Sequence, residues 1–166
     1  SSVAGGLYNP ITGRKMVKTW NADKFFPVIE PFYRSMEKKL EARFLNNIGI
    51  YRPFLSIEEQ NEWQGKAASP DYAPFIDRVY TSARGFELND QHGGIQLKMA
   101  GYVNTLMLIE ANKNYLLNKG IYQELVFSES RLERKGKNFN FSGIEFKKLV
   151  YCNGLNQEVN SAFHWL

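Results

Sequence analysis

The sequence predicts an α+β fold in which a mostly antiparallel sheet carries helices packed on one face. Three patterns lead to this class. Apolar residues from Phe25 to Phe44 recur at helical spacing. Strand-forming runs flank the turn sequence Asn89-Asp90-Gln91-His92-Gly93-Gly94. A strand–turn–strand pattern spans 138–146 around Ser142-Gly143. A chain of 166 residues suffices for one compact domain, which buries roughly 70% of its unfolded surface.

The elements follow in order. Residues 16–20 suit a short strand or an extended lead-in. A helix is expected over 23–44, because Phe25, Phe26, Ile29, Phe32, Tyr33, Met36, Leu40 and Phe44 share one face; Pro27 suits its first turn and Pro31 implies a kink or a late start. Residues 49–55 read as a strand, with Pro53 at an edge or bulge. Ser56-Ile57-Glu58-Glu59 is a capping-box pattern opening a helix to about residue 68, and the Pro-containing loop 69–74 leads into a short turn. A strand over 79–88, the Gly-rich turn and a return strand over 95–97 make a hairpin. Residues 99–119 form the strongest helix pattern, stopped by Gly120. Strands are expected over 121–127, 138–141, 144–146 and 148–152, the last ending at Asn153-Gly154 and burying Cys152.

Composition narrows the function classes. The chain is 43% hydrophobic, 23% charged and 14% aromatic, values of a globular protein with a filled core or an aromatic-lined cleft. The net charge of +4 is spread among interleaved acids, so a solvated face explains the basic residues better than a nucleic-acid patch, and no nucleic-acid partner is expected. One cysteine excludes an internal disulfide and fits a reducing, cytoplasmic setting. No apolar run approaches the ~20 residues of a membrane span. The two histidines, His92 and His164, share no metal-ligand spacing with Cys152, so no metal is expected. Neither a P-loop nor a nucleophile elbow is present.

The opening run Ser-Ser-Val-Ala-Gly-Gly-Leu-Tyr, followed by turns at Asn9-Pro10 and Thr12-Gly13, resembles the small-residue loop of the glycine/D-amino-acid oxidase family of FAD-dependent oxidoreductases. In that family the loop passes over the flavin. The stretch from Gly143 to Gly154, ending Cys152-Asn153-Gly154, is similar to the family's late flavin-domain strand, and the order of elements between the two ends matches its substrate domain. The Gly-x-Gly-x-x-Gly dinucleotide fingerprint is absent, which marks the chain as an internal piece of a larger flavoenzyme. The resemblance implies remnants of an incomplete, Rossmann-like FAD-binding domain at 1–15, a substrate-binding domain at 16–137, and strands returning to the flavin domain at 138–166.

The implied reaction is oxidation of an amine or amino acid at its α-carbon by hydride transfer to flavin, with FAD as cofactor of the complete protein. The resemblance places the backbone of Ala4, Gly5, Gly6 and Leu7, together with Asn153 and Gly154, against the cofactor. It places Tyr8 toward the substrate, with Tyr51 and Arg52 on the strand lining the substrate cavity. Strand alternation allows only one of Tyr51 and Arg52 on the cavity face. Alternatives stand beside each: Tyr8 as a core aromatic, Arg14 and Lys15 as exposed turn residues, Arg52 as an ion-pair partner, Asn153-Gly154 as a plain turn. The rival for the whole chain is a non-catalytic domain binding a small ligand, a peptide or RNA, and a third reading is a flavoenzyme acting on modified tRNA. Leftover strand edges predict self-association or a swapped dimer.

Overall fold

The computed structural model describes residues 4–85 and 88–152. The fold is α+β, with three α-helices and eleven short strands in antiparallel sheets among the described residues. The chain divides into two compact units, Ser1–Asn118 and Lys119–Leu166. The division falls at Gly120, whose φ of +67° turns the chain out of the preceding helix.

In the first unit, β1 (Leu7–Tyr8) pairs with β8 (Gly101–Val103), which pairs in turn with β4 (Leu45–Asn46). A separate hairpin joins β2 (Ile11–Thr12) to β3 (Val17–Lys18). The third sheet has β7 (Gly94–Leu97) between β5 (Ile50–Pro53) and β6 (Ile76–Tyr80). Its inner face delivers Ile76, Ile95 and Leu97 to the main core. There they meet Phe26 from α1 (Ala22–Leu40), Trp63 from α2 (Ile57–Lys66) and Phe75 from the short 3-10 turn Ala73–Phe75. Both helices therefore pack on the same side of that sheet, as expected.

Helix α1 starts at Ala22 and continues through both Pro27 and Pro31, so Pro31 does not mark a late start. It stops at Leu40 because Glu41 adopts a left-handed conformation and returns its N–H to the Glu37 carbonyl. Phe44, assigned by periodicity to the helix, is buried beyond it beside Leu45 and Val103 in a second, smaller core. Phe25 and Phe32 face solvent, because the helix buries the stripe through Ala22 and Phe26.

Glu37 is the buried charge that joins helix to sheet. Its Oε1 accepts the backbone N–H of Phe44 at 2.7 Å and of Leu45 at 2.8 Å, and its Oε2 accepts from Arg34 at 2.7 Å. Burial opposes its charge, but the Leu45 N–H, the Arg34 guanidinium and the Phe44 N–H outweigh that, and the carboxyl stays below its ordinary range.

Helix α2 follows the predicted cap with one change. Ser56 Oγ accepts from the Glu59 N–H at 3.3 Å, but the Glu59 carboxylate reaches back to the Leu55 N–H at 2.7 Å, one residue earlier than a standard box. Buried Gln60 donates to the carbonyls of Thr81 (2.9 Å) and His92 (2.6 Å), tying both ends of the loop between β6 and β7 to the helix. Gly93 is required at that loop: its φ is +70°, and a Cβ would lie 2.0 Å from the Tyr80 carbonyl.

Four expectations need correction. The strand expected over 79–88 is β6, which begins at Ile76 and ends at Tyr80; an irregularity between Ile76 and Arg78 shifts its register. The helix expected over 99–119 is α3 (Thr105–Asn118), because Met99 takes a φ of +53° and Gly101–Val103 are claimed as a central strand by β1 and β4. Asn104 then caps the helix, its Oδ1 accepting from the Met107 N–H at 3.2 Å. Residues 121–127 and 148–152 form no strand, and Cys152 is exposed instead of buried. An apolar run does not make a strand where no neighbour offers a ladder.

In the second unit the predicted hairpin appears at the predicted residues. Strand β10 (Asn138–Phe141) pairs with β11 (Ile144–Phe146) and also with β9 (Glu133–Lys135). Ser142 and Gly143 both take positive φ, as a tight two-residue hairpin turn requires. Phe139, Phe141, Ile144 and Phe146 share one face by register, and Phe127 packs on Phe141 at 4.9 Å.

Replacing Glu37 with Ala leaves the Phe44 and Leu45 amides unpaired, so stability should fall by about 2–3 kcal/mol. Because the carboxyl is held below its ordinary range in the fold, its contribution is present above that range and disappears as pH falls through the folded value. Urea unfolding midpoints from pH 7 downward should converge for wild type and Glu37→Ala.

Candidate functional site

The opening loop is exposed at Ala4, Gly5 and Leu7 and tied down at two points. Thr105 Oγ1 donates to the Ala4 carbonyl at 2.8 Å, and the Val103 N–H donates to the Gly6 carbonyl at 2.9 Å. The two glycines differ. A Cβ on Gly6, whose φ is +64°, would sit 2.0 Å from the Val103 carbonyl, so this glycine lets β8 approach. Among the described residues, nothing lies within 4 Å of the Cβ position of Gly5.

Tyr8, Tyr51 and Arg52, all predicted to meet substrate, occupy three different surroundings. Tyr8 pairs with Gly101 across β1 and β8, and its ring lies against α1. Its hydroxyl is buried without a hydrogen-bond partner among the described residues, and burial, with the Glu30 charge second, pushes its pKa up. Arg52 points to the opposite side of β5 from Tyr51. It donates to Glu59 Oε1 at 2.8 Å and to the Arg14 carbonyl at 3.3 Å and also touches Met16 Sδ, so it clamps the β2–β3 hairpin to α2. The ion-pair alternative describes its place in the fold.

Tyr51 belongs to the outer face of the β5–β7–β6 sheet. Register places Tyr51, Gln96 and Arg78 in one row across it and Gly94 and Tyr80 in the next. Gly94 has no Cβ to block the Tyr51 ring, whose hydroxyl would be 2.7 Å from one. The ring thereby reaches Asp90, donating to its Oδ2 at 2.9 Å. The same oxygen accepts the Arg84 backbone N–H at 3.0 Å, and the Arg84 guanidinium lies over the rings of Tyr51 (4.8 Å) and Tyr80 (4.5 Å) while donating to Gln96 at 3.3 Å.

The electrostatics of this cluster are set by Asp90, which is only 2% exposed. The Arg84 N–H and the Tyr51 hydroxyl hold its carboxyl below the ordinary range against its burial. Burial, followed by the hydrogen bond and charge of Asp90, pushes Tyr51 up to about 12, with Arg84 opposing. The outcome is a neutral phenol, a fixed carboxylate and a planar cation on one sheet face.

Sequence reading passed over Arg84 and Asp90. Asp90 was visible only as a turn residue, and Arg84 lies twelve residues from Gln96, the strand residue that pairs with Tyr51. His92 gives its backbone carbonyl to Gln60. Arg14 and Lys15 are exposed turn residues, in line with the alternative given for them. Asn153 and Gly154 lie outside the described residues. Among the described residues, no His, Cys, Asp and Glu side chains gather as a metal site, and no helix is long and apolar enough to cross a membrane.

No family model matches this chain, and no solved structure matches it.

Two outcomes check this geometry. Tyr51 should ionise near pH 12, seen as phenolate absorbance missing from Tyr51→Phe, and Asp90→Asn should move that ionisation back toward ordinary tyrosine. Since the folded pKa is raised, the stability tied to Tyr51 is complete below the ordinary phenol range and is lost as pH climbs toward the folded value. Gly6→Ala should lower stability by about 1–3 kcal/mol, whereas Gly5→Ala should leave the unfolding midpoint within about 0.5 kcal/mol of wild type.

Proposed function

We propose that this chain is the substrate-binding part of an FAD-dependent oxidoreductase that oxidises an amine or amino acid. The observation that carries the reading is the outer face of the β5–β7–β6 sheet, where Tyr51, Tyr80, Gln96 and Arg84 stand on the side away from the helices. A flat ligand needs such a wall: aromatic surface to lie on, with polar groups at defined places. The Arg84 guanidinium lies close to two aromatic rings, and a planar cation suits a substrate carboxylate.

The opening loop fits a flavin edge in one respect that the fold supplies. Among the described residues nothing stands on the Cβ side of Gly5, while its neighbours are tied by Thr105 and Val103, so backbone is open to a ligand edge there. Ala4, Gly5, Gly6 and Leu7 are the residues that would hold the cofactor's edge. Bound FAD supplies two-electron acceptance from a C–H bond, chemistry that no side chain provides. The chain's own work is to orient the substrate through Tyr51 and Arg84 and to keep water from the reacting face.

The test is the absorbance spectrum of the protein expressed from the complete open reading frame, before and after denaturation. Yellow protein that releases FAD is the expected result, and Arg84→Ala should then raise KM for amino acids far more than for amines without a carboxylate. Colourless protein that cannot be reconstituted with FAD overturns the proposal.

A further inference from the structure

Helix α1 carries a second apolar stripe, on its solvent side. The helical repeat sets Phe25, Val28 and Phe32 in line there. Trp20, just ahead of the helix, brings its ring to 5.9 Å from that of Phe25 and lengthens the stripe. Trp20 is 79% exposed, and the other three are each at least half exposed. Single apolar residues on a surface need no explanation, but a contiguous row that includes an indole in open water marks a contact surface.

The charges of α1 are sorted about this stripe. Its acids, Asp23, Glu30 and Glu37, lie on the opposite side of the helix, and each is held: Asp23 by Lys18 at 2.9 Å, Glu30 by Asn47 at 2.8 Å, and Glu37 by Arg34 and two backbone amides. The charged residues bordering the stripe are Lys24, Lys38 and Lys39, all cations. Lys24 and Lys38 are exposed and form no ion pair among the described residues, and Lys39 lies over the Tyr115 ring at 5.1 Å.

An aromatic stripe with a purely cationic border suits the surface of an anionic bilayer. Aromatic side chains settle at the headgroup boundary, and lysine ammonium groups meet the lipid charges. A second copy of the chain would bring the same lysines and no acid to this face, and the four side chains cover less than the roughly 800 Å² per partner of a stable interface. An acidic protein would be positioned by charges of both signs, and this border holds one sign.

From this arrangement we infer that α1 is a peripheral membrane contact, with Trp20, Phe25, Val28 and Phe32 at the headgroup boundary of a bilayer containing anionic lipid and Lys24 and Lys38 among its headgroups. The contact is independent of the flavin reading, since it shares no residue with the outer sheet face or the opening loop.

The test is flotation of the protein expressed from the complete open reading frame with vesicles of phosphatidylcholine alone and of phosphatidylcholine mixed with phosphatidylserine. Affinity for the mixed vesicles should be about tenfold higher or more, and should fall as salt is raised. Trp20→Ala combined with Phe32→Ala should lower it about tenfold through lost apolar burial, and Lys24→Gln combined with Lys38→Gln about tenfold through lost charge. All four side chains are exposed, so both double variants should keep wild-type circular dichroism and unfolding midpoints. No flotation with the mixed vesicles, equal flotation with both kinds, or unchanged affinity in either double variant overturns the inference.

Discussion

The first unit depends on one buried carboxylate. Strand β4 is two residues long and cannot hold itself against a helix by ladder bonds alone. Glu37 supplies the connection by taking the amides of Phe44 and Leu45 while Arg34 balances its charge. Because β4 flanks β8 and β8 flanks β1, the placement of α1 on this sheet follows from that contact. A buried acid with one partner missing would be costly; here both oxygens are occupied, and the carboxylate is stable as an anion.

The same logic recurs at smaller scale. Gln60, buried on α2, uses one amide nitrogen to collect two loop carbonyls, and Asp90 uses one oxygen to collect a phenol and a backbone amide. In each case a single polar side chain closes a long stretch of chain that has no ladder of its own. The result is a loop between β6 and β7 whose described ends are rigid enough to carry Arg84 on the sheet face. Chain closure by a few fully satisfied polar groups is effective because an unpaired group at those positions would be expensive.

The two faces of the β5–β7–β6 sheet differ in character. Residues pointing inward, Ile76, Ile95 and Leu97, build the core with Phe26 and Trp63. Residues pointing outward, Tyr51, Gln96 and Tyr80, make a polar aromatic surface with Arg84. Adjacent residues on β5 thereby face opposite ways: Tyr51 meets Asp90 and Arg84 on the outer face, and Arg52 pairs with Glu59.

The sequence by itself determined the elements whose signals are local. The Ser142-Gly143 hairpin, the Ser56 cap and the stop at Gly120 all depend on residues within a few positions of one another, and each stands where it was read. The α+β class followed from these and from the helical spacing around Phe26. What tertiary structure decided was every assignment that needs a distant partner. Residues 99–103 carry a helical pattern yet become a strand because β1 and β4 lie on both sides of them, while the apolar runs at 121–127 and 148–152 find no such neighbours and stay irregular. Asp90 and Arg84 acquire their roles only when Gly94 lets the Tyr51 ring cross the sheet. Periodicity reports which face a residue prefers; the ladder, and the charges it brings together, depend on chain segments far apart in sequence.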